Sequence, residues 1–255
     1  MIKKSVDIKN SRVFYYQSDD YNPNGCLVFL HGWGANIEIF KPVLEKCNNY
    51  IDLDLPCFGL NKNIEDKDWD IFKYVDFLKN FLEELNIKDP ILVGHSFGGA
   101  IVAKYCSLGG RAKKIVLVSS AGIPDIKIKR FVAKACSYIV KFIFVDLLPT
   151  KHKEIFRKKF YNLLHFDLIS IGELRNNFLK LVDLNIEEDF KKIKIETIII
   201  WGENDIYTPL RSGKKINRLI KNSKLFVIPR ASHLVFFDKP DEFNKIFLNA
   251  INKNI

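Results

Sequence analysis

Apolar and polar positions change period in a regular order along the chain. Residues 2–8 and 11–17 alternate, with Arg12, Phe14 and Tyr16 set against Val13 and Tyr15, and Lys9-Asn10 between the two stretches. That pattern predicts an antiparallel hairpin. Cys26–Leu30, Tyr50–Leu55, Ile91–Val93, Lys114–Ser120, Glu196–Trp201 and Lys224–Ile228 are short and apolar at nearly successive positions. Such runs suit strands covered on both faces. Helical spacing fills the gaps: Ile37–Glu45 behind a capping Asn36, Trp69–Leu85, the stretch from Ala100 onward, Leu210–Ile220, and Glu242–Ile251 with Asp241 as its cap. In Trp69–Leu85 the inward positions are Phe72, Val75, Phe77, Leu78, Phe81 and Leu82. Strand and helix alternate, so the expected class is α/β, a mostly parallel sheet with helices on both faces.

Residues 123–188 break this alternation. They contain no clear strand and read as amphipathic helices near Lys129–Phe144, Lys151–Tyr161, Ile169–Leu174 and Asn177–Leu181. The expected organisation is a core of residues 1–122 and 189–255 interrupted by a helical insertion. A chain of 255 residues accommodates both.

Composition narrows the classes. Hydrophobic residues make up 47% of the chain, and no apolar run approaches the ~20 residues of a membrane span. Met1–Asp7 lacks the apolar segment of a secretory leader. Cys26, Cys47, Cys57, Cys106 and Cys136 are scattered, without C-x-x-C or metal-ligand spacing. Free thiols in a cytoplasmic protein are the expectation. The net charge is +10, and residues 127–160 hold ten Lys or Arg against Asp146 and Glu154. A basic insertion suits an acidic partner or an anionic surface, and equally a solvated lysine-rich face. No nucleic-acid-binding motif accompanies it.

The chemistry is concentrated in Ile91–Ala100. Here an apolar strand runs into Gly94-His95-Ser96-Phe97-Gly98-Gly99 and then a helix. Glycine two places before and two places after Ser96 permits a sharp turn that lifts the hydroxyl out at the carboxyl edge of the sheet. His31-Gly32-Trp33-Gly34 follows an earlier strand. The backbone amides of Trp33 and Phe97 are candidates for the two donors of an oxyanion hole, and the same two residues for contact with substrate. A serine needs a base near neutral pH, and that base needs an orienting carboxylate. Of His31, His95, His152, His165 and His233, only His233 lies directly after a late strand, and Asp205 lies after the strand before it. Asp54 is the alternative orienter, whereas His31 and His95 read as structural.

These pieces, with Asp54-Leu55-Pro56-Cys57-Phe58-Gly59, Trp201-Gly202-Glu203-Asn204-Asp205 and Ser232-His233-Leu234, resemble those of α/β-hydrolase-fold serine hydrolases over nearly the whole chain. The resemblance implies an α/β-hydrolase fold with Ser96 as nucleophile, His233 as base and then acid, and Asp205 as its orienter. It also implies oxyanion amides at Trp33 and Phe97, and a cap built by residues 123–188. No metal or organic cofactor is implied. Two positions depart from the pattern: Cys57 stands for a glycine in the D-x-P-G-x-G loop, and Ser232 for the glycine before the base.

The expected reaction is cleavage of a small carboxylic ester through an acyl-serine. A carbon–carbon bond hydrolase of ring-cleavage products uses the same triad. The H-G-W-G loop and helical cap also resemble esterases that act on pimeloyl methyl esters bound to acyl carrier protein, an acidic partner that a basic cap would suit. A non-catalytic binding protein on the same fold is a further, weaker alternative.

Overall fold

The computed structural model of this chain describes residues 1–124, 174, 177–178, 180–181 and 183–252. β1 (Ile2–Ile8) and β2 (Ser11–Gln17) form the expected hairpin, turning at Lys9 with φ +51°. The remaining strands are β3 (Leu27–Leu30), β4 (Tyr50–Leu53), β5 (Ile91–His95), β6 (Lys114–Val118), β7 (Thr197–Gly202) and β8 (Ser223–Ile228). Helices connect them: α1 (Lys41–Leu44), α2 (Ile71–Glu84), α3 (Phe97–Ser107), α4 (Glu187–Lys192), α5 (Leu210–Leu219), α6 (Val235–Asp238) and α7 (Pro240–Asn252).

The sheet runs β1-β2-β4-β3-β5-β6-β7-β8. β1 and β2 are antiparallel to their neighbours, and every later pairing is parallel. This α/β-hydrolase architecture explains the unbroken apolar runs. Successive strand residues face opposite sides, and both sides are covered. Val28, Leu30, Ile51, Leu92 and Ile199 join Tyr74, Leu78, Phe81 and Ile101 in one core. Leu27, Phe29, Tyr50, Val93 and Ile200 join Phe40, Phe243 and Phe247 in the other. Each fully buried large side chain contributes about 1.5–3 kcal/mol.

Several local expectations change. The helix expected over Ile37–Glu45 is a 3₁₀ turn, Ile37–Phe40, followed by α1, which has Pro42 in its first turn. Asn36 does cap it, its Oδ1 accepting from Glu38 N at 2.9 Å. Phe72 faces solvent, 57% exposed, and Tyr74 takes an inward place instead. The reason is angular. At about 100° per residue, Phe72 lies about 120° round α2 from Leu78, beyond the edge of the buried stripe. The Lys104 ammonium lies over the Phe72 ring, 4.8 Å from its centroid. Pro240 starts α7, so Asp241 occupies the first turn, where its charge suits the helix dipole, rather than the cap.

The expected helices Lys129–Phe144 and Lys151–Tyr161 lie outside the described residues, as does all of Ile169–Leu174 except Leu174. Asn177, Phe178, Lys180 and Leu181 are helical. The boundary expected at 188/189 falls inside α4. That helix is pinned to α3, with Lys104 Nζ 3.0 Å from both Asp189 oxygens and Ser107 Oγ 3.0 Å from Oδ1. Ile186 N donates to Gly122 O at 3.0 Å, so the chain that leaves β6 is tied to the chain entering α4.

Candidate active site

Ser96 connects β5 directly to α3. Its φ of +51° and ψ of −113° are a conformation that side chains avoid, at a cost of about 1–3 kcal/mol. The end of β6 and the loop after it hold it: Ser96 N donates to Val118 O at 3.0 Å, and Ala121 N to Ser96 O at 2.9 Å. The flanking glycines are sterically required. A Cβ on Gly98 would strike the Leu30 carbonyl, and one on Gly94 the backbone of Gly98 and Gly99. Phe97 is the first residue of α3, so its amide has no carbonyl one turn back to bond.

β7 and β8 bring the second half of the site to the same edge. Gly202 passes so close to Ala231 and Ser232 that no side chain fits, and Asn204 N donates to Ala231 O at 2.8 Å. His233 Nδ1 lies 2.8 Å from Asp205 Oδ2. With Nδ1–H donating to the carboxylate, Nε2 carries a lone pair, and no hydrogen bond engages it among the described residues. Burial opposes the charge on Asp205. The facing His233 and the Thr208 amide and hydroxyl outweigh it, holding the carboxyl below its ordinary range.

The other two histidines in this region belong to the frame. His95 is buried, and its Nε2–H donates to the His233 carbonyl at 3.1 Å. The two rings lie 4.7 Å apart. Burial, helped by His233, lowers His95 to about 3, so it is neutral. His31 Nδ1–H donates to Gly32 O at 2.7 Å, and its Nε2 accepts from Leu55 N at 2.9 Å. Asp54 accepts from Ile37 N at 2.8 Å and from Leu60 N at 2.7 Å. Asp54 therefore serves these loops, and the structure pairs His233 with Asp205 and not with Asp54.

Trp33 is buried beside the elbow. Its ring centroid lies 5.0 Å from that of Phe58, 5.7 Å from Phe97 and 5.9 Å from Phe178. Cys57 takes φ +72°, the left-handed conformation that its glycine counterpart would adopt without strain, and its thiol donates to Asp66 O at 3.5 Å. Ser232 N donates to Asp238 Oδ2 at 2.6 Å. Among the described residues no group of His, Cys, Asp and Glu is arranged to hold a metal ion. A surface groove of about 890 Å³ between α2 and the end of α3 contains none of these residues.

Two contributors went unnoticed in the sequence. Thr208 Oγ1 lies 2.8 Å from Asp205 Oδ2, 3.2 Å from His233 Nδ1 and 3.0 Å from Ser119 O. The Tyr207 ring lies 5.4 Å from that of His233. The only sequence cue for Thr208 is its place three residues after Asp205 and just before Pro209.

Known proteins match this architecture. The model of the alpha/beta hydrolase family matches residues 27–246. The chain is 26% identical to the AB hydrolase superfamily protein YisY of Bacillus subtilis, covering 92% of this chain and 94% of that one. It is 29% identical to the pimeloyl-[acyl-carrier protein] methyl ester esterase of Wigglesworthia glossinidia brevipalpis, covering 89% and 93%. Among solved structures, the esterase EaEST of Exiguobacterium antarcticum superposes with a TM-score of 0.76 at 20% identity, covering 99% and 100%.

Proposed function

This chain belongs to the alpha/beta hydrolase family, and from that premise we propose that it is a serine hydrolase cleaving carboxylic esters through an acyl-serine. The observation that carries this reading is the 2.8 Å His233–Asp205 contact, which leaves the Nε2 lone pair available on the same sheet edge as the strained Ser96. Ser96 Oγ attacks the ester carbonyl while His233 Nε2 takes its proton. The oxyanion is held by the amides of Trp33 and Phe97. His233 returns the proton to the departing alkoxide, and water then repeats both steps to release the acid. Asp205 keeps Nδ1 protonated and stabilises the imidazolium.

The aromatic wall of Trp33, Phe58, Phe97 and Phe178 supports an apolar acyl group. Residues 123–188 are the cap in this reading. The free thiols of Cys26, Cys47 and Cys106 support a reducing, cytoplasmic setting. Among the described residues no helix is long and apolar enough to cross a membrane.

A narrower reading has the ester presented on an acyl carrier protein. The Wigglesworthia relative and the basic stretch 127–160 support it. Carrier-bound methyl esters should then be hydrolysed faster than free ones, with the advantage lost at high salt. Equal rates on both would remove it.

Fluorophosphonate labelling and p-nitrophenyl butyrate turnover test the main reading. Wild type should label, and Ser96→Ala should lose both signals, with turnover down by about 10⁴-fold or more. Undiminished turnover in Ser96→Ala overturns it.

A further inference from the structure

The contacts of Thr208 allow its single hydroxyl proton to be placed. His233 Nδ1–H points at Asp205 Oδ2, so the Thr208 oxygen, 3.2 Å from Nδ1, meets that N–H with a lone pair. Two acceptors remain for the Thr208 proton, Asp205 Oδ2 at 2.8 Å and Ser119 O at 3.0 Å. The charged and closer carboxylate takes it. The Tyr207 and Thr208 amides both donate to Oδ1, each at 2.9 Å. Asp205 thus accepts four hydrogen bonds, two at each oxygen, which fills its acceptor capacity. Among the described residues, the only donor to Oδ2 besides His233 is the Thr208 hydroxyl.

Thr208 is itself held in place. Its carbonyl accepts from the Trp201 indole N–H at 2.7 Å, and Trp201 is fully buried in β7. Ser119, whose carbonyl faces the hydroxyl, follows β6 with φ +44° and donates its amide to Ile200 O at 3.0 Å. The hydroxyl therefore joins the ends of β6 and β7 to the loop after β8.

We propose that Thr208 is a positioning residue of the Ser96–His233–Asp205 site, its hydroxyl locking the Asp205 carboxylate and the His233 ring into one orientation. This rests on the hydrolase reading above. Without the hydroxyl, Oδ2 keeps one donor and the carboxylate is held less firmly against Nδ1. Loss of orientation lowers kcat, because the bond to the base matters most as the imidazolium forms. Loss of a donor to the carboxylate also makes Asp205 easier to protonate, so the Asp205–His233 pair fails at a higher pH on the acid side.

The groups facing the pair do not blur that signal. His95, behind the ring, stays neutral, lowered by its burial to about 3, and His31 is buried and also lowered. Tyr207, in the same loop, is raised by burial and by Asp205 and stays protonated. Asp238 is exposed on α6 and faces the Ser232 amide.

The test compares Thr208→Val, Thr208→Ala and Thr208→Ser with wild type. It reads kcat, KM and the pH profile of kcat/KM on p-nitrophenyl butyrate, with fluorophosphonate labelling of each protein. Val and Ala should lower kcat by about tenfold with KM within about twofold, and move the acid limb up by about half a pH unit. Ser, which keeps the hydroxyl, should restore both. A wild-type kcat and acid limb in Val and Ala would overturn the proposal, as would a Ser variant as impaired as they are. Failure of the underlying hydrolase reading is distinguishable, because turnover and labelling would then survive Ser96→Ala whatever stands at position 208. Ala is included because it cannot clash, so a folding defect peculiar to Val leaves the comparison intact.

Discussion

Among the described residues two histidine–aspartate pairs lie at the same edge of one sheet, and they have opposite uses. His31 and Asp54 follow β3 and β4, both essentially inaccessible, with Nε2 and Oδ1 3.5 Å apart. That distance is too long for a hydrogen bond. Both ring nitrogens of His31 and both oxygens of Asp54 are engaged by the backbone of Gly32, Leu55, Ile37 and Leu60. The ring accepts an amide proton at Nε2, so it is neutral, and burial lowers its affinity for a proton further. His233 and Asp205 follow β8 and β7 at 2.8 Å, and the His233 side chain remains 13% exposed. Here one nitrogen is left over. A pair whose every heteroatom is taken by backbone staples loops, and a pair with one nitrogen lone pair unengaged among the described residues has the means to take a proton.

The largest effect that would sharpen this contrast is kinetic. His233→Ala should lower kcat by about 10⁶-fold while its melting temperature stays within about 2 °C of wild type. His31→Leu should do the reverse in kind. It leaves the Leu55 amide without a partner in a dry interior, at about 3 kcal/mol, which lowers the melting temperature by about 6–10 °C. A calorimetric melt of His31→Leu at the wild-type temperature would break the comparison.

Next comes the packing of the elbow against the stapled loop. Gly98→Ala would press a methyl group into the carbonyls of Leu30 and His31, and should destabilise by about 3 kcal/mol or more in urea titrations. Gly25→Ala, at φ +69° in open space, should cost only about 1 kcal/mol. Equal costs would mean that the close approach at the elbow carries no strain of its own.

A smaller effect than that of Gly98→Ala is expected on acid stability. His95 is held to about 3 in the fold, against about 6.5 in the unfolded chain. Below about pH 6.5 the unfolded state therefore takes a proton that the folded state refuses, and stability falls as pH drops from there toward 3. From pH 7 to 5 the loss from His95 alone is about 2 kcal/mol. His31 adds to it in the same direction. His95→Phe should flatten that part of the stability profile, and an unchanged slope between pH 7 and 5 would show that His95 does not contribute to it.

Much of this molecule was legible in the order of its residues. The period-2 hairpin, the doubly apolar strands and the α2 stripe follow from local burial patterns, and glycines around Ser96 follow from local sterics. That Asp205 and His233 end at one sheet edge was legible because loops after parallel strands gather there. Phe72 was misjudged because apolar character does not reveal where a buried stripe ends. Thr208 was overlooked because a threonine in a loop has no distinguishing local pattern, and its role arises only when β6, β7 and β8 bring Ser119, Asp205 and His233 around it.

By itself, the sequence determined the layers of the fold, the serine elbow and the residues available for acid–base chemistry, since these depend on periodicity and on backbone conformations that only certain residues adopt. Only the tertiary structure decided which histidine has a nitrogen to spare, which aspartate it faces and which hydroxyl completes that carboxylate. Those outcomes depend on hydrogen-bond distances between segments as far apart in the chain as Ser119 and His233, and local sequence does not encode such distances.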